Sequence, residues 1–120
     1  GLRANTEDAY QAMLAYLKEK PARPTAFFVD NDVIALGAMR ALKESGFSIP
    51  GDVSVIGFDD IPACTVIEPP LTTMRVECKC IGKMAVERLV RLIKSGDAYR
   101  VKQEIDTLLI ERGSVGRVNS

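Results

Sequence analysis

Two runs of apolar residues in this chain each lead directly into polar side chains. The run Ala26–Val29 is followed closely by Asn31, and the run Val53–Gly57 is followed by Phe58 and Asp59. A helix-length segment separates the runs, and this β-α-β order predicts two neighbouring parallel strands. Because ligands of open parallel sheets collect at the carboxyl ends of the strands, we predict a small-molecule site that both strand ends form together.

The residue types at this site suit reversible binding of a polar organic ligand. The Asn31 amide offers two donors and an acceptor, and an ionised Asp59 can accept from several hydroxyls at once. Phe58 could supply an apolar wall against a sugar or base ring. Structural roles stay open for two of these residues, because Asn31 can simply cap a helix and Asp59 can simply belong to a turn.

Catalysis is a weaker interpretation of the same region. Four aspartates follow the two runs, and paired carboxylates can act as acid and base. They are Asp30, Asp32, Asp59 and Asp60. The chain has no histidine, no nucleophile elbow and no lysine beside the strand ends. Asp32 has a plainer role as a helix cap, and Asp60 as a loop-closing acceptor, so we predict that the chain is not an enzyme.

Composition sets mild bounds on partners and compartment. The chain has 120 residues, enough for one domain, and its 16 basic residues balance its 16 acidic ones. No broad attraction to nucleic acid or to an anionic membrane is therefore expected. No signal peptide is visible, and three cysteines suit a reducing cytoplasm. A lone Cys78-x-Cys80 lacks the second half of a tetrahedral metal site, so we expect neither metal nor cofactor.

The spacing of apolar residues predicts an α/β fold with three helices and four strands. The helices are predicted at 6–20, 33–45 and 81–94. The strands are predicted at 26–29, 53–57, 71–76 and 103–111. Thr6 is predicted to cap the first helix, and Asn31 or Asp32 the second. Residues 61–70 are predicted to form an irregular loop, and we expect loose order after Gly113.

The second predicted helix has apolar residues on both sides. The side that should lie on the sheet carries Ile34, Ala35, Ala38, Ala41 and Leu42. Leu36 falls on the opposite side, with Val33 and Arg40 beside it. A single exposed leucine needs no explanation, but a subunit contact would also use this combination.

In the third predicted helix, 81–94, apolar residues cover well over half of the circumference. Such an arc needs covering from two sides, and the remaining elements are too few to do so. We infer that part of the packing surface for this helix lies outside the chain.

Four segments taken together resemble the LacI/GalR family of bacterial transcriptional regulators. They are residues 28–46, 49–62, 69–75 and 109–114. The resemblance runs in order from about Glu7 to Ser114, and several long motifs in register are far more specific than any one of them. It implies an effector-binding domain with the periplasmic-binding-protein-like (type I) fold, in which two α/β lobes are hinged around a cleft.

The resemblance also implies partners and the residues that meet them. Asn31 and Asp59 would line the pocket for a sugar, nucleobase or related metabolite, with Phe58 beside them. A homodimer contact would use Val33, Leu36, Arg40 and Ile67. Operator DNA would be bound in the cytoplasm, and only through a separate N-terminal headpiece.

The same resemblance implies that the sequence covers part of the domain. Residues 1–75 and 102–114 match the C-terminal lobe. Residues 76–101 match a crossing segment and a helix of the N-terminal lobe, and 115–120 form a tail. The headpiece, the hinge helix and most of the N-terminal lobe have no counterpart in the sequence.

Two alternatives stay open. A periplasmic sugar receptor of the ribose-binding type shares the fold, but it would carry a secretory signal and act as a monomer. A bare structural fragment would bind nothing by itself. The identity of the effector and the direction of the response, induction or corepression, also stay open.

Overall fold

A computed structural model of the chain describes residues 5–19, 24–96 and 99–117. Its elements follow in the order α1 (Thr6–Glu19), β1 (Ala26–Phe28), α2 (Asp32–Glu44), β2 (Ser54–Asp59), a short 3-10 helix (Pro62–Thr65), β3 (Thr72–Arg75), α3 (Cys78–Ser95) and β4 (Leu108–Ile110). Three α-helices and four strands therefore lie within the described residues, as the apolar periodicity predicts.

The four strands form one sheet in the order β1-β2-β3-β4. β1 and β2 are parallel with Phe28 level with Ile56, and β2 and β3 are parallel with Phe58 level with Met74. α2 is the crossover between β1 and β2. The carboxyl ends of these three strands consequently share one edge of the sheet, which we call the carboxyl edge.

The hydrophobic core lies between the two first helices and the sheet. It is formed by Leu17, Ala35, Met39, Leu42, Val53, Val55, Cys64 and Leu71. The ring of Tyr16 on α1 meets Phe27 on β1 edge to face, with the ring centroids 6.0 Å apart. This packing anchors α1 and α2 on the face of the sheet that carries Phe27 and Val55.

Two sides of α2 are covered, which is more than the sequence predicts. Met39 is fully buried although it lies outside the predicted buried side, and Leu36 is half-buried rather than exposed. Met39 belongs to the hydrophobic core, and α1 closely approaches another side of α2, at Gly37. A Cβ at Gly37 would lie 2.2 Å from the Thr6 carbonyl oxygen and 2.9 Å from Ala9 Cβ, so the helices pack where only glycine fits.

The N-caps differ in part from the prediction. Thr6 is already helical, and Asn5 caps α1 by accepting from the Asp8 amide at 2.6 Å. The prediction for Thr6 is therefore wrong, because the residue before it supplies the side-chain oxygen. In α2 the cap is Asn31. The predicted last residue of α1, Lys20, lies outside the described residues.

Several element boundaries also differ. β2 extends through Asp59, so Phe58 and Asp59 end the strand rather than follow it. The predicted strand 103–111 shrinks to Leu108–Ile110, since the neighbouring β3 has only four residues to pair with. α3 begins at Cys78, three residues before the predicted start. The predicted irregular loop 61–70 contains the 3-10 helix, which has a proline in its first turn.

The segment after Gly113 is ordered as far as the structure describes it, so the expectation of loose order is wrong there. Ser114 is buried, and its hydroxyl donates to the Val55 carbonyl at 2.6 Å and accepts from the Thr72 amide at 2.8 Å. The Gly116 amide bonds Ser54 Oγ at 3.1 Å. The segment therefore ties β2 to β3. Residues 118–120 lie outside the described residues.

The chain divides into two compact units, residues 1–75 with 109–120 and residues 76–108. Within the second unit, α3 has no buried residue, and its large apolar side chains stay exposed. They are Ile81, Val86, Leu89, Val90, Leu92 and Ile93. The assignment of residues 76–101 to another lobe of a larger domain stays a prediction.

Candidate functional site

Asn31 lies three residues after the end of β1 and is the N-cap of α2. Its backbone is extended (φ −155°, ψ 166°), and its side-chain Oδ1 accepts from the Ile34 amide at 2.9 Å. The structural role predicted as an alternative is thus present. The cap uses only the oxygen, so the two N–H groups of the amide remain suited to an acceptor on a ligand.

The parallel pairing of β1 and β2 puts the ends of both strands, near which Asn31 and Asp59 lie, side by side. Pairing between β1 and β2 continues beyond the strand, because the Val29 amide donates to the Ile56 carbonyl at 2.9 Å. Phe28, the last residue of β1, is level with Ile56; Asn31 follows three residues after Phe28, and Asp59 ends β2 three residues after Ile56. Neighbouring strands lie about 4.8 Å apart, so the two residues share the carboxyl edge.

The strand-end turn, Asp59 to Ile61, has an unusual backbone. Asp59 has φ 112° and Asp60 has φ 61°, a region that side-chain-bearing residues rarely adopt. Aspartate tolerates it better than most residues, and such conformations persist only where surrounding contacts enforce them. The Asp59 side chain is exposed on this turn, whereas Asp60 is largely covered.

Phe58 lies at the same strand end but on a different side of the sheet from the helices. A Cβ at Gly57 would lie 2.2 Å from Asp32 Oδ1 at the start of α2, so Gly57 faces α2. Strand alternation therefore points Phe58 away from α2, next to Met74 of β3 in register. Phe58 is half-buried there and presents apolar surface at the carboxyl edge.

Asp60 is held by two arginines that the sequence reasoning missed. Arg75 Nε donates to Asp60 Oδ2 at 2.7 Å, and Arg112 Nη2 donates to Asp60 Oδ1 at 2.6 Å. Burial raises the pKa of Asp60, but the hydrogen bonds from Arg112 and Arg75 and their charges outweigh it. The pKa therefore lies below its ordinary value of 3.8. The only sequence signal for this cluster was an arginine near the end of the predicted strand 71–76 and another just after the predicted strand 103–111.

Asp32 does not cap α2, so that predicted role is wrong. It is fully buried, and its carboxylate accepts from the Ile61 amide at 2.9 Å and from Thr73 Oγ1 at 2.6 Å. It therefore joins α2 to the strand-end turn and to β3. Burial, followed by a hydrogen bond with Asp32, raises the pKa of the neighbouring Cys64 thiol to about 12, so this thiol is a packing group and not a nucleophile.

The predicted subunit residues lie on α2 and beyond the 3-10 helix. Val33 and Leu36 are half-buried, and Ile67 is half-buried against the core. Arg40 is exposed and lies 4.3 Å over the Tyr10 ring, with its Nε donating to Glu44 at 2.9 Å. Arg40 thus links α1 to α2, a role that its place on the helix does not reveal in sequence.

Cavities also occur elsewhere in the described part of the chain. A cavity of about 310 Å³ lies at the amino ends of β1 and β2, away from the carboxyl edge, and Asp52 and Arg117 are among its lining residues. No group of three or more His, Cys, Asp or Glu side chains in the described ranges could hold a metal ion. None of the helices there has the length and apolar character needed to cross a membrane.

Comparisons with known proteins identify the family. The family profile for a periplasmic binding protein-like domain matches residues 2–115. A lactose operon repressor from Rhizobium radiobacter is 40% identical over 108 residues, which cover 90% of this chain and 94% of that protein. The chain belongs to the LacI family of transcriptional regulators. The expected family and fold are confirmed, and the LacI-family relatives are repressors rather than enzymes, which agrees with the expected absence of catalysis.

Two solved LacI-family structures show the same fold. A dimeric lac repressor bound to operator and the anti-inducer ONPF is 37% identical with a TM-score of 0.84, and the match covers 92% of this chain and 38% of that one. A regulator from Enterococcus faecium with bound ribose is 30% identical with a TM-score of 0.83, covering 96% of this chain and 42% of that one. The chain therefore spans about two fifths of these LacI-family proteins.

Proposed function

We propose that this chain supplies half of an effector pocket in a LacI-type repressor, with Asn31 and Asp59 binding the effector directly. The observation that supports the proposal is the parallel pairing of β1 with β2. It puts the carboxyl ends of both strands at the carboxyl edge, with Asn31 soon after β1 and Asp59 at the end of β2. An exposed carboxylate beside an amide donor suits the hydroxyls of a sugar or related metabolite. The half-buried Phe58 supplies apolar surface at the same edge.

The mechanism follows from linkage. An effector that contacts both lobes of the whole domain binds one hinge angle more tightly than another, and it shifts the population by that difference in affinity. The shift alters operator binding by a homodimer whose DNA contacts come from a headpiece outside this chain. Ribose bound to one relative and operator bound to another support this class of ligand and partner. A regulator of this kind acts in the cytoplasm.

The subunit contact in this proposal uses Val33, Leu36, Arg40 and Ile67. Its support is the position of Leu36 and Arg40 on the side of α2 turned away from the sheet, together with the dimeric state of one relative. A periplasmic receptor is the less favoured alternative. The Rhizobium radiobacter relative, of which the match covers 94%, is a lactose operon repressor.

The test is calorimetry on the natural gene product that carries this sequence, with D-ribose, lactose and a panel of nucleobases as ligands. Asp59→Asn should weaken binding of the sugar that binds the wild type by roughly 10- to 100-fold, since a hydrogen bond to a charged acceptor contributes about 1.5–3 kcal/mol. Unchanged affinity in Asp59→Asn would overturn the assigned role.

Variants of Asn31 separate its two functions. Asn31→Asp keeps a good cap but removes the amide donors, so we expect weaker effector binding with unchanged thermal stability. Asn31→Ala removes both, and we expect an additional loss of about 1 kcal/mol in the free energy of unfolding. Equal affinities for wild type and Asn31→Asp would leave Asn31 as a cap alone.

A further inference from the structure

We propose that Asp60 is a positioning residue for effector binding. In this role the Asp60 carboxylate fixes the strand-end turn that carries Asp59. It also joins this turn to Arg75 and Arg112, which lie on the chain segments before and after residues 76–108. The inference rests on the proposed function of Asp59. The two adjacent aspartates then have different roles: Asp59 binds the effector, and Asp60 fixes the strand-end turn.

Both carboxylate oxygens of Asp60 are engaged within the protein. Each carboxylate oxygen accepts from a different arginine, at 2.7 Å from Arg75 and 2.6 Å from Arg112. Only 7% of the Asp60 side chain and 14% of the Arg112 side chain are exposed, although 44% of the Arg75 side chain is. Charge-assisted bonds in such a sheltered place are strong and directional, so they can enforce the positive φ angles of the turn.

The two arginines flank the second compact unit. Arg75 is the last residue of the first unit before residues 76–108, and Arg112 follows soon after the chain returns. Arg112 is itself fixed to β3, because its Nη1 donates to the Leu71 carbonyl at 2.8 Å and its backbone amide donates to Thr72 Oγ1 at 2.9 Å. Asp60 thus joins the outgoing and returning segments within the first unit.

A second carboxylate, that of Asp32, also holds the strand-end turn. Asp32 accepts from the amide of Ile61, the residue after Asp60, and from Thr73 on β3. The turn is therefore held by buried or sheltered groups on both of its sides, whereas the Asp59 carboxylate between them stays exposed. Rigid support around one exposed group is the arrangement that a binding site needs.

The test compares Asp60→Asn with Asp52→Asn in the natural gene product. Asp52 is the matched control, because it also accepts two hydrogen bonds, from the Ser48 amide and hydroxyl, but lies at the amino ends of the strands. Both variants should lower the melting temperature. Only Asp60→Asn should weaken binding of D-ribose or lactose, by roughly tenfold, measured well below the melting temperature.

Two further measurements distinguish positioning from general stabilisation. In the Asp59→Asn background, Asp60→Asn should cause little additional loss of affinity, because the group it positions is already impaired. Amide exchange at residues 59–61 should accelerate in Asp60→Asn and not in Asp52→Asn. Additive losses, or wild-type affinity and exchange in Asp60→Asn, would overturn the inference. A wild type that binds no ligand of the panel would instead overturn the proposed function, and with it the effector role of Asp60.

Discussion

Asn31 and Asp59 are each followed by an aspartate whose carboxylate binds within the protein. Asp32 accepts from Ile61 and Thr73, and Asp60 accepts from two arginines. In both pairs the first residue lies near the carboxyl edge, whereas the carboxylates of both second residues hold the strand-end turn that carries Asp59. Sequence reasoning identifies the first member of each pair from its place after a strand, but the partners of the second lie up to 52 residues away.

The burial of Cys64 predicts that its thiol is unreactive in the folded protein. Its buried thiol has a pKa near 12, so it stays protonated at about pH 8 and should resist iodoacetamide in the folded protein. The chain has three cysteines, and in a Cys78→Ser/Cys80→Ser variant Cys64 is the one that remains. Mass spectrometry should find labelling only after unfolding in urea, and rapid labelling of the folded protein would contradict the burial of Cys64.

Two glycines show how element packing decides the effect of one methyl group. Gly37 lies where α1 and α2 touch, and an added Cβ would stand 2.2 Å from a backbone oxygen. Gly82 lies inside α3 with nothing within 4 Å of an added Cβ. The same substitution therefore meets a clash in one helix and open space in the other.

We expect Gly37→Ala to destabilise the protein by about 1–3 kcal/mol, because the helices must separate to relieve the overlap. Gly82→Ala is the matched control, and it should stabilise α3 by about 0.5–1 kcal/mol through its better helix propensity. Urea denaturation followed by circular dichroism measures both. Equal effects of the two variants would mean that α1 and α2 do not pack at Gly37.

At the scale of the whole molecule, the proposed dimer depends on the side of α2 that faces away from the sheet. Leu36 is its central apolar residue and is only half-buried within the chain. Burying an apolar side chain of this size against a partner contributes about 1.5–3 kcal/mol, and a buried unpaired charge there is costly.

Leu36→Glu should therefore shift the natural gene product from dimer towards monomer in sedimentation equilibrium. Ala15→Glu, at an exposed position of α1 outside this surface, is the control and should leave the association unchanged. Circular dichroism confirms that both variants are folded. A dimer as stable as the wild type in Leu36→Glu would place the subunit contact elsewhere.

The sequence by itself determined the order of helices and strands, the Asn31 cap as one of two options, and the polar ends of the first two strands. These features follow from hydrogen bonds and side-chain periodicities that repeat within a few residues. The tertiary structure alone decided the register of β1 against β2, the burial of Met39, and the hydrogen bonds from Arg75 and Arg112 to Asp60. Each depends on contacts between segments far apart in the chain, where packing against a second element, and not local pattern, selects the conformation.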